Sequence, residues 1–326
     1  MRALVVGASG HIGAHLVREL AREHVEVRAL VRPTSDVRGL AGVSVEVVHG
    51  DVLDASSLET AMRGCDTLFH MAAPTTVTSG ILDTIIIGTR LALEQARRAG
   101  LQRVVYTSSV VAVGYSPSTD IVLDESHREK CCATLYHQAK AEAEDLVLEF
   151  GRRTGLPIII VNPATVVGPL DYRVTPGSRP IQQCIDRGLP FAFDSGLTVV
   201  HAQDVARGHW QAMVRGRPGE RYILGGERIT IPKYFSLISS LCGRPAPRLK
   251  IPRLAMVILG ACFSAAQGLG IRNVPFTFKQ SRILVGRYAW YSSSKATNEI
   301  GYSWRPVEES VKSYIDWVKS GRPSVP

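Results

Sequence analysis

Residues 3–13 read Ala-Leu-Val-Val-Gly-Ala-Ser-Gly-His-Ile-Gly, an apolar run followed at once by three regularly spaced glycines. The run Ala3–Val6 predicts a buried strand, and residues 12–23 predict an amphipathic helix. Glycines at this junction let the backbone turn tightly and approach a pyrophosphate, whose charge then lies at the helix N-terminus. We therefore predict a dinucleotide-binding turn. Its residues are Gly7, Ser9, Gly10, His11, Ile12 and Gly13.

Short β-branched runs alternate with amphipathic stretches through the first half of the chain. This alternation is typical of a parallel sheet with helices on both faces. We therefore expect an α/β fold with a doubly wound parallel sheet of the Rossmann type and a smaller C-terminal substrate lobe. The pattern becomes irregular after Pro163. We assign residues 1–165 and 197–225 to the dinucleotide-binding domain, and residues 166–196 and 226–326 to the lobe.

The composition is that of a soluble globular protein, with 326 residues, 45% of them hydrophobic and 21% charged. The net charge of +9 comes from scattered Lys and Arg residues, which favours an anionic small molecule over nucleic acid. The six cysteines lack metal-site spacing, and the adjacent Cys131 and Cys132 are poorly placed to bridge each other. We therefore expect reduced thiols and a cytoplasmic location.

Residues 254–269 form the most apolar stretch after the N-terminal half. The stretch contains Ser264 and Gln267 and is shorter than the about twenty apolar residues that span a bilayer. A buried helix is favoured over a membrane contact, and we expect no membrane span.

The candidate catalytic residues are Ser109, after a predicted strand, and Tyr136 and Lys140, within a predicted helix. The i, i+4 spacing places Tyr136 and Lys140 on one helical face. An ammonium beside a phenol favours the phenolate, so Tyr136 could exchange a proton with a carbinol oxygen while hydride moves at a nicotinamide. Ser109 would hold that oxygen in place.

Cofactor choice is predicted from the end of the second strand. An acid there normally binds the ribose 2′-hydroxyl, but this chain has Val31 followed by Arg32. An arginine can pair with a 2′-phosphate, and Ser35 can add a hydroxyl, so NADP(H) is favoured over NAD(H). Asp51 is placed to accept a hydrogen bond from the adenine amino group while Val52 covers the ring, although an Asp at this point is also a common helix cap.

Together these motifs resemble the extended short-chain dehydrogenase/reductase family, more narrowly its hopanoid-associated sugar epimerase and dihydroflavonol-4-reductase-like branch. The resemblance implies that Ser109, Tyr136 and Lys140 form the catalytic triad. It also implies that His201 and Asp204 are structural residues near the substrate entrance. The further cofactor contacts that it implies are Met71, Ala72, Ala73, Thr107, Ser108, Pro163 and Val166.

Ile85 departs from the family pattern, which commonly has an asparagine at this point of an Asn-x-x-Gly-Thr stretch. If that asparagine organises a water relay to the lysine, this chain must deliver protons without it. The direction of the reaction is therefore left open.

Three functions are compatible with these residues. The leading hypothesis is an NADP(H)-dependent oxidoreductase that interconverts a carbonyl and a secondary alcohol on a bulky, partly apolar small molecule. The alternative is an NAD(P)-dependent nucleotide-sugar epimerase, whose diphosphate would need a basic clamp. A dinucleotide-sensing regulator is the third, and a homodimer is the assembly we consider. The candidate clamp residues are Arg173, Arg179, Arg187 and Arg287.

Overall fold

A computed structural model describes residues 1–73, 80–128, 134–271, 274 and 276–323, so Cys131 and Cys132 lie outside the described residues. The strands in the described part are β1 (Arg2–Val6), β2 (Glu26–Val31), β3 (Glu46–His49), β4 (Thr67–His70), β5 (Arg103–Thr107), β6 (Ile158–Pro163), β7 (Thr165–Val167), β8 (Phe191–Phe193), β9 (Gly196–His201), β10 (Arg221–Leu224), β11 (Glu227–Thr230), β12 (Leu249–Ile251) and β13 (Tyr288–Ala289).

The helices in the same residues are α1 (His11–Arg22), α2 (Ala55–Met62), α3 (Gly88–Arg98), α4 (Leu135–Thr154), α5 (Arg179–Arg187), α6 (Ala202–Arg215), α7 (Ile231–Leu241), α8 (Arg253–Gly268), α9 (Phe278–Leu284), α10 (Ser294–Ile300) and α11 (Val307–Lys319). A π-helical turn, Asp83–Ile87, precedes α3, and a 3₁₀ turn, Val110–Ala112, follows β5.

The main sheet has seven strands in the order β3-β2-β1-β4-β5-β6-β10, and every pair is parallel. Because the chain order reverses on either side of β1, helices lie on both faces of the sheet. Two buried apolar clusters flank it, one shared with α1 and α6 and the other with α2, α3 and α4. The predicted doubly wound α/β fold is confirmed.

The remaining strands form two small sheets. β9 pairs with β7, β11 and β13, and β12 pairs with β8. A separate apolar cluster joins α5, α7 and α11 around them. β10 completes the main sheet although it follows these strands in the chain, so the two parts of the molecule are interleaved.

Helix α8 differs from its prediction. We expected a buried helix at residues 254–269, but within α8 only Met256 and Gly260 are buried, and Leu254, Ile258 and Leu259 are exposed. Within the described residues the helix packs mainly against α9, whereas a buried helix needs apolar neighbours on all sides. The prediction of burial was therefore wrong.

Candidate active site

The candidate residues converge because parallel strands end at one edge of a sheet. β1, β4, β5 and β6 are neighbours in the main sheet, and the segments after Val6, His70, Thr107 and Pro163 leave its carboxyl edge together. Ligands bind at this edge in open α/β sheets, next to the point where the strand order reverses.

The turn between β1 and α1 has room only for glycine. Gly7 has φ +97, and a Cβ there would lie 2.9 Å from the Ala72 backbone nitrogen. A Cβ on Gly13 would lie 2.2 Å from the Gly7 carbonyl oxygen, while the Gly10 amide donates to that same oxygen at 3.0 Å. The turn thus brings bare backbone against the segment that follows β4.

The N-terminus of α1 is open to an anion. Gly10 is its N-cap, no side chain caps the helix, and its first turn contains no acid. Free amides and the helix dipole together favour a phosphate there. The His11 side chain is buried with its Nδ1 3.8 Å from Asp171 Oδ2, and burial lowers its pKa. Only the His11 backbone therefore belongs to the open end of the helix, where Ser9 and Ile12 are half-buried.

The segment after β2 contains two arginines, Arg32 and Arg38, which differ in whether they form an ion pair with the described residues. Arg32 is exposed and makes no ion pair with the described residues, and its carbonyl accepts from the Ser35 amide at 2.9 Å. Arg38 binds Asp36 through two nitrogens, with Nη2 2.7 Å from Oδ2, and lies 4.5 Å from the centre of the Tyr172 ring. The Asp36–Arg38 pair was not predicted, although the two residues are only two positions apart in the sequence.

Asp51 does not cap α2, which was the alternative to its predicted contact with the adenine amino group. Asp54 caps α2 and accepts from the amides of Ser56 and Ser57, while Asp51 Oδ1 accepts only from the Leu53 amide, at 2.9 Å. Val52 is buried against Gly88, where a Cβ would lie 3.0 Å from Val52 Cγ1.

The segment after β4 lies beside the glycine turn. The Met71 amide donates to the Val6 carbonyl at 2.9 Å, and Ala72 follows against Gly7. Met71, Ala72 and Ala73 are half-buried. These contacts place two of the predicted cofactor contacts, Met71 and Ala72, next to the predicted pyrophosphate turn.

Ser109 and Tyr136 meet across the edge. Ser109 begins the 3₁₀ turn after β5, and its hydroxyl accepts from the Val111 amide at 3.3 Å. Tyr136 is the second residue of α4, which Thr134 caps. Burial raises the pKa of Tyr136, and a hydrogen bond with Ser109 partly offsets that rise.

Lys140 lies one turn further along α4 and is buried. Its Nζ donates to the Thr107 carbonyl oxygen at 2.7 Å and lies 5.4 Å from the centre of the Tyr106 ring. Burial lowers the pKa of Lys140 to about 8, and Glu144 opposes that shift. From the sequence we expected the Lys140 ammonium to lower the pKa of Tyr136. In the structure, burial raises that pKa, and Lys140 donates its hydrogen bond to the Thr107 carbonyl at the end of β5.

A buried polar network beneath these residues was not predicted. Glu144 is fully buried, with Oε1 2.8 Å from Arg221 Nε and Oε2 accepting from Asn162 Nδ2 at 2.8 Å. The same Asn162 nitrogen donates to the Ser109 carbonyl at 3.0 Å. The available signal was the repeat Tyr136, Lys140, Glu144, which places three polar side chains on one face of α4.

The last candidates lie where β6 leaves the sheet. Pro163 ends β6, the Ala164 amide donates to the Leu224 carbonyl at 3.1 Å, and half-buried Val166 follows in β7. Thr107 ends β5 beside them and Ser108 follows it, and Thr107 Oγ1 shares a hydrogen bond of 2.9 Å with His209 Nε2. These residues border the same edge as Ser109.

His201 and Asp204 have structural contacts. His201 Nδ1 accepts from the Gln203 amide at the start of α6, and Asp204 binds Arg305 through both carboxylate oxygens. Ile85 is buried in the π-helical turn, in the apolar cluster that includes Tyr106 and Ala139. It has no polar atom with which to hold a relay water.

A cavity of about 330 Å³ adjoins α4. Tyr115 in its wall shares a hydrogen bond of 2.8 Å with His137, the neighbour of Tyr136. The lining mixes apolar and basic side chains. Of the four candidate clamp arginines only Arg287 lines it, while Arg173, Arg179 and Arg187 are exposed elsewhere. The lining residues are Val113, Tyr115, Pro117, Leu123, His127, Arg128 and Arg287.

Comparison with known proteins gives a consistent result. Residues 3–225 match the sequence profile of the NAD dependent epimerase/dehydratase family. The chain is 38% identical to sterol demethylase protein B of Methylococcus capsulatus over 257 residues, which cover 77% of this chain and 78% of that protein. It is 32% identical over 327 residues to a putative dihydroflavonol 4-reductase of Synechocystis, with coverage of 97% and 94%.

The solved structure of gox2253 has the same fold along its whole length. It superimposes with a TM-score of 0.88 at 34% identity and covers 99% of both chains. The likeness therefore extends past the matched profile into the lobe that contains α8 and α9.

Proposed function

The chain belongs to the NAD dependent epimerase/dehydratase family, an extended short-chain dehydrogenase/reductase family, and from this premise we propose an NADP(H)-dependent carbonyl reductase or alcohol dehydrogenase. The substrate class that we propose is a bulky, partly apolar small molecule. The observation on which the proposal rests is the convergence of Ser109, Tyr136 and buried Lys140 at the sheet edge that also holds the glycine turn.

The residues present fit a dinucleotide. Side chains are excluded at Gly7 and Gly13, and the uncapped N-terminus of α1 offers free amides to a pyrophosphate. Met71, Ala72 and Ala73 would hold the ribose, and Pro163 with Val166 would lie against the nicotinamide amide. A bound nicotinamide supplies or accepts the hydride.

Tyr136 is the proton donor in this mechanism. Because burial raises its pKa, the phenol keeps its proton at neutral pH and can give it to a carbonyl oxygen as hydride arrives at carbon. Ser109 holds that oxygen through its hydroxyl. The Lys140 ammonium, fixed on the Thr107 carbonyl, stabilises the negative charge that develops on the phenol oxygen.

Preference for NADP(H) is proposed from Arg32. Its guanidinium is exposed without a carboxylate partner among the described residues, whereas Arg38 is already bound to Asp36. A free guanidinium can bind a 2′-phosphate through two parallel hydrogen bonds. Asp51, with one carboxylate oxygen on a local amide, leaves its other oxygen for the adenine amino group.

The substrate class is tested by a melting-temperature screen. The names of the two relatives refer to a sterol and a dihydroflavonol, both bulky ring compounds. We expect lipophilic ketones to raise the melting temperature in the presence of NADPH, and to be reduced with loss of NADPH absorbance. Absence of both effects across a panel of ring ketones would contradict the proposal.

A nucleotide-sugar epimerase is the second candidate, and Arg287 in the cavity wall is the observation that favours it. An epimerase returns its hydride to the same substrate and retains oxidised cofactor. Purified protein that contains bound NAD⁺ or NADP⁺, together with stabilisation by UDP or GDP and none by ketones, would replace the reductase proposal with this one.

We also propose a homodimer and a cytoplasmic location. The described residues contain no helix long and apolar enough to cross a membrane, and Cys65, Cys184, Cys242 and Cys262 are free thiols. Light scattering of the purified protein measures the assembly directly, and a monomeric mass would contradict the homodimer.

A further inference from the structure

Helix α8 turns an apolar face to solvent. Leu254, Ile258 and Leu269 just beyond its end are 71%, 55% and 86% exposed. Ala261 and Ala265 lie between them on the same side, because helical positions three or four residues apart share a face. The exposed face therefore extends along the whole helix as one apolar stripe.

The opposite face of α8 is firmly packed. Gly260 is buried where a Cβ would lie 2.3 Å from Ser281 Oγ and 3.0 Å from the Thr277 carbonyl oxygen. The Phe263 and Phe276 rings pack edge to face with centres 5.2 Å apart. Because one side is fixed in this way, the apolar stripe is a feature of the folded lobe.

Exposed apolar side chains are concentrated around α8. Of the sixteen large apolar side chains that are exposed in the described residues, seven lie between Leu249 and Phe278. Isolated exposed apolar residues are common on any protein, whereas a contiguous patch marks a binding surface.

Within the stretch of chain that contains this patch, the charged residues have one sign. Residues 228–297 contain eleven Lys and Arg residues and no Asp or Glu. None of the cations nearest to α8 forms an ion pair with a carboxylate of the described residues. These exposed cations are Arg248, Lys250, Arg253, Lys279 and Arg282.

We propose that the exposed stripe of α8 docks on the surface of a bilayer that contains anionic lipids. Its apolar side chains would enter the boundary between headgroups and acyl chains, while the cations stay at the level of the headgroups. The helix would lie in the interface, since α8 has sixteen residues and no helix of the described part can cross a membrane.

Other occupants fit this surface less well. A second copy of the chain in a twofold contact would place two predominantly basic surfaces against each other, which costs free energy. Nucleic acid would neutralise the cations but leave Leu254, Ile258 and Leu269 exposed to water.

Vesicle flotation with the full-length protein tests the proposal. We expect binding to vesicles of phosphatidylglycerol and phosphatidylcholine at least about tenfold tighter than binding to pure phosphatidylcholine, weakening as salt is added. The double substitution Leu254→Glu/Ile258→Glu should reduce binding at least about tenfold, because two charges would enter the apolar boundary. Leu254→Ser/Ile258→Ser is a milder variant that should lower binding without added charge.

Matched control variants distinguish a loss of vesicle binding caused by the patch from one caused by any change of surface charge. Val214→Glu on α6 places the same charge at a residue that is 52% exposed, and it should leave vesicle binding unchanged. Lys279→Glu/Arg282→Glu should remove the preference for anionic vesicles, whereas Arg98→Glu on α3 should not. All variants should keep the melting temperature and NADPH affinity of the unmodified protein.

Two results would overturn the proposal. One is equal flotation of the unmodified protein and the Leu254→Glu/Ile258→Glu variant. The other is a dimer, seen by light scattering without vesicles, that the same substitution dissociates while the unmodified protein fails to float. Neither result depends on the substrate, so they leave the proposed carbonyl reduction unaffected.

Discussion

The carboxyl edge of the main sheet and the stripe on α8 differ in which kind of side chain is buried and which is exposed. At the edge, the charged side chains of Lys140, Glu144 and Arg221 are buried and have partners. On α8, the apolar side chains of Leu254 and Ile258 are exposed to solvent. Burial of a residue therefore depends on the elements that surround it as well as on its own polarity. Buried charges and clustered exposed apolar side chains are both exceptions to the usual pattern, and both mark places where function is expected.

Paired truncations on the two long helices should give the largest contrast. Phe150 on α4 is buried, so Phe150→Ala should lower the free energy of unfolding by about 3–5 kcal/mol through lost burial and a cavity. Leu254→Ala on α8 should change it by about 0.5 kcal/mol or less, because that side chain is already in water. Urea denaturation measures both, and similar losses would show that α8 is packed in solution.

Removal of one oxygen should have a large effect at Tyr136 on α4 and a small one at Tyr172, which lies between β7 and α5. Tyr136→Phe removes the transferable proton, so turnover should fall by about a hundredfold or more while fold and cofactor affinity are kept. Tyr172→Phe, which loses only a hydrogen bond to the Pro323 carbonyl, is the matched control and should retain turnover. Full activity in Tyr136→Phe with a verified substrate would disprove its catalytic role.

Arg32 gives the sheet edge a feature in common with α8, since both present exposed cations that form no ion pair with the residues the structure describes. Arg32→Ala should weaken NADPH binding by about tenfold and leave NADH binding almost unchanged, because only NADPH has the 2′-phosphate. Calorimetry with both cofactors measures this, and Arg63→Ala serves as an exposed control. Equal affinities for the two cofactors in the unmodified protein would contradict the assignment.

The smallest effect concerns pH. Since the pKa of Lys140 is about 8, its ammonium is lost as pH rises through that value, while the raised pKa of Tyr136 keeps the phenol protonated. We expect kcat/KM for carbonyl reduction to fall to half near pH 8 and to decline further above it. A pH profile at saturating NADPH that stays flat to pH 10 would show that the lysine charge is not required.

The sequence predicts those parts of the molecule that depend on neighbours in the chain. The glycine turn and the row of Tyr136 and Lys140 follow from local spacing, and the alternation of strands and helices predicts the doubly wound sheet. The partners of Glu144 could not be predicted, because Arg221 comes from a strand 77 positions later. For α8, apolar composition predicts burial, but exposure depends on whether another element covers it.

The ion pair of Glu144 and Arg221 also has a consequence for how the protein folds. Because β10 is the last strand of the main sheet along the chain, closing the long loop that follows β6 carries an entropic cost, and we expect β10 to dock late in folding. Until β10 docks, Glu144 lacks its ion pair with Arg221, the nearer of its two cations, and its hydrogen bond with Asn162 lacks that support. After dilution from denaturant, enzyme activity should therefore recover more slowly than helical circular dichroism; simultaneous recovery would show that the site forms together with the helices.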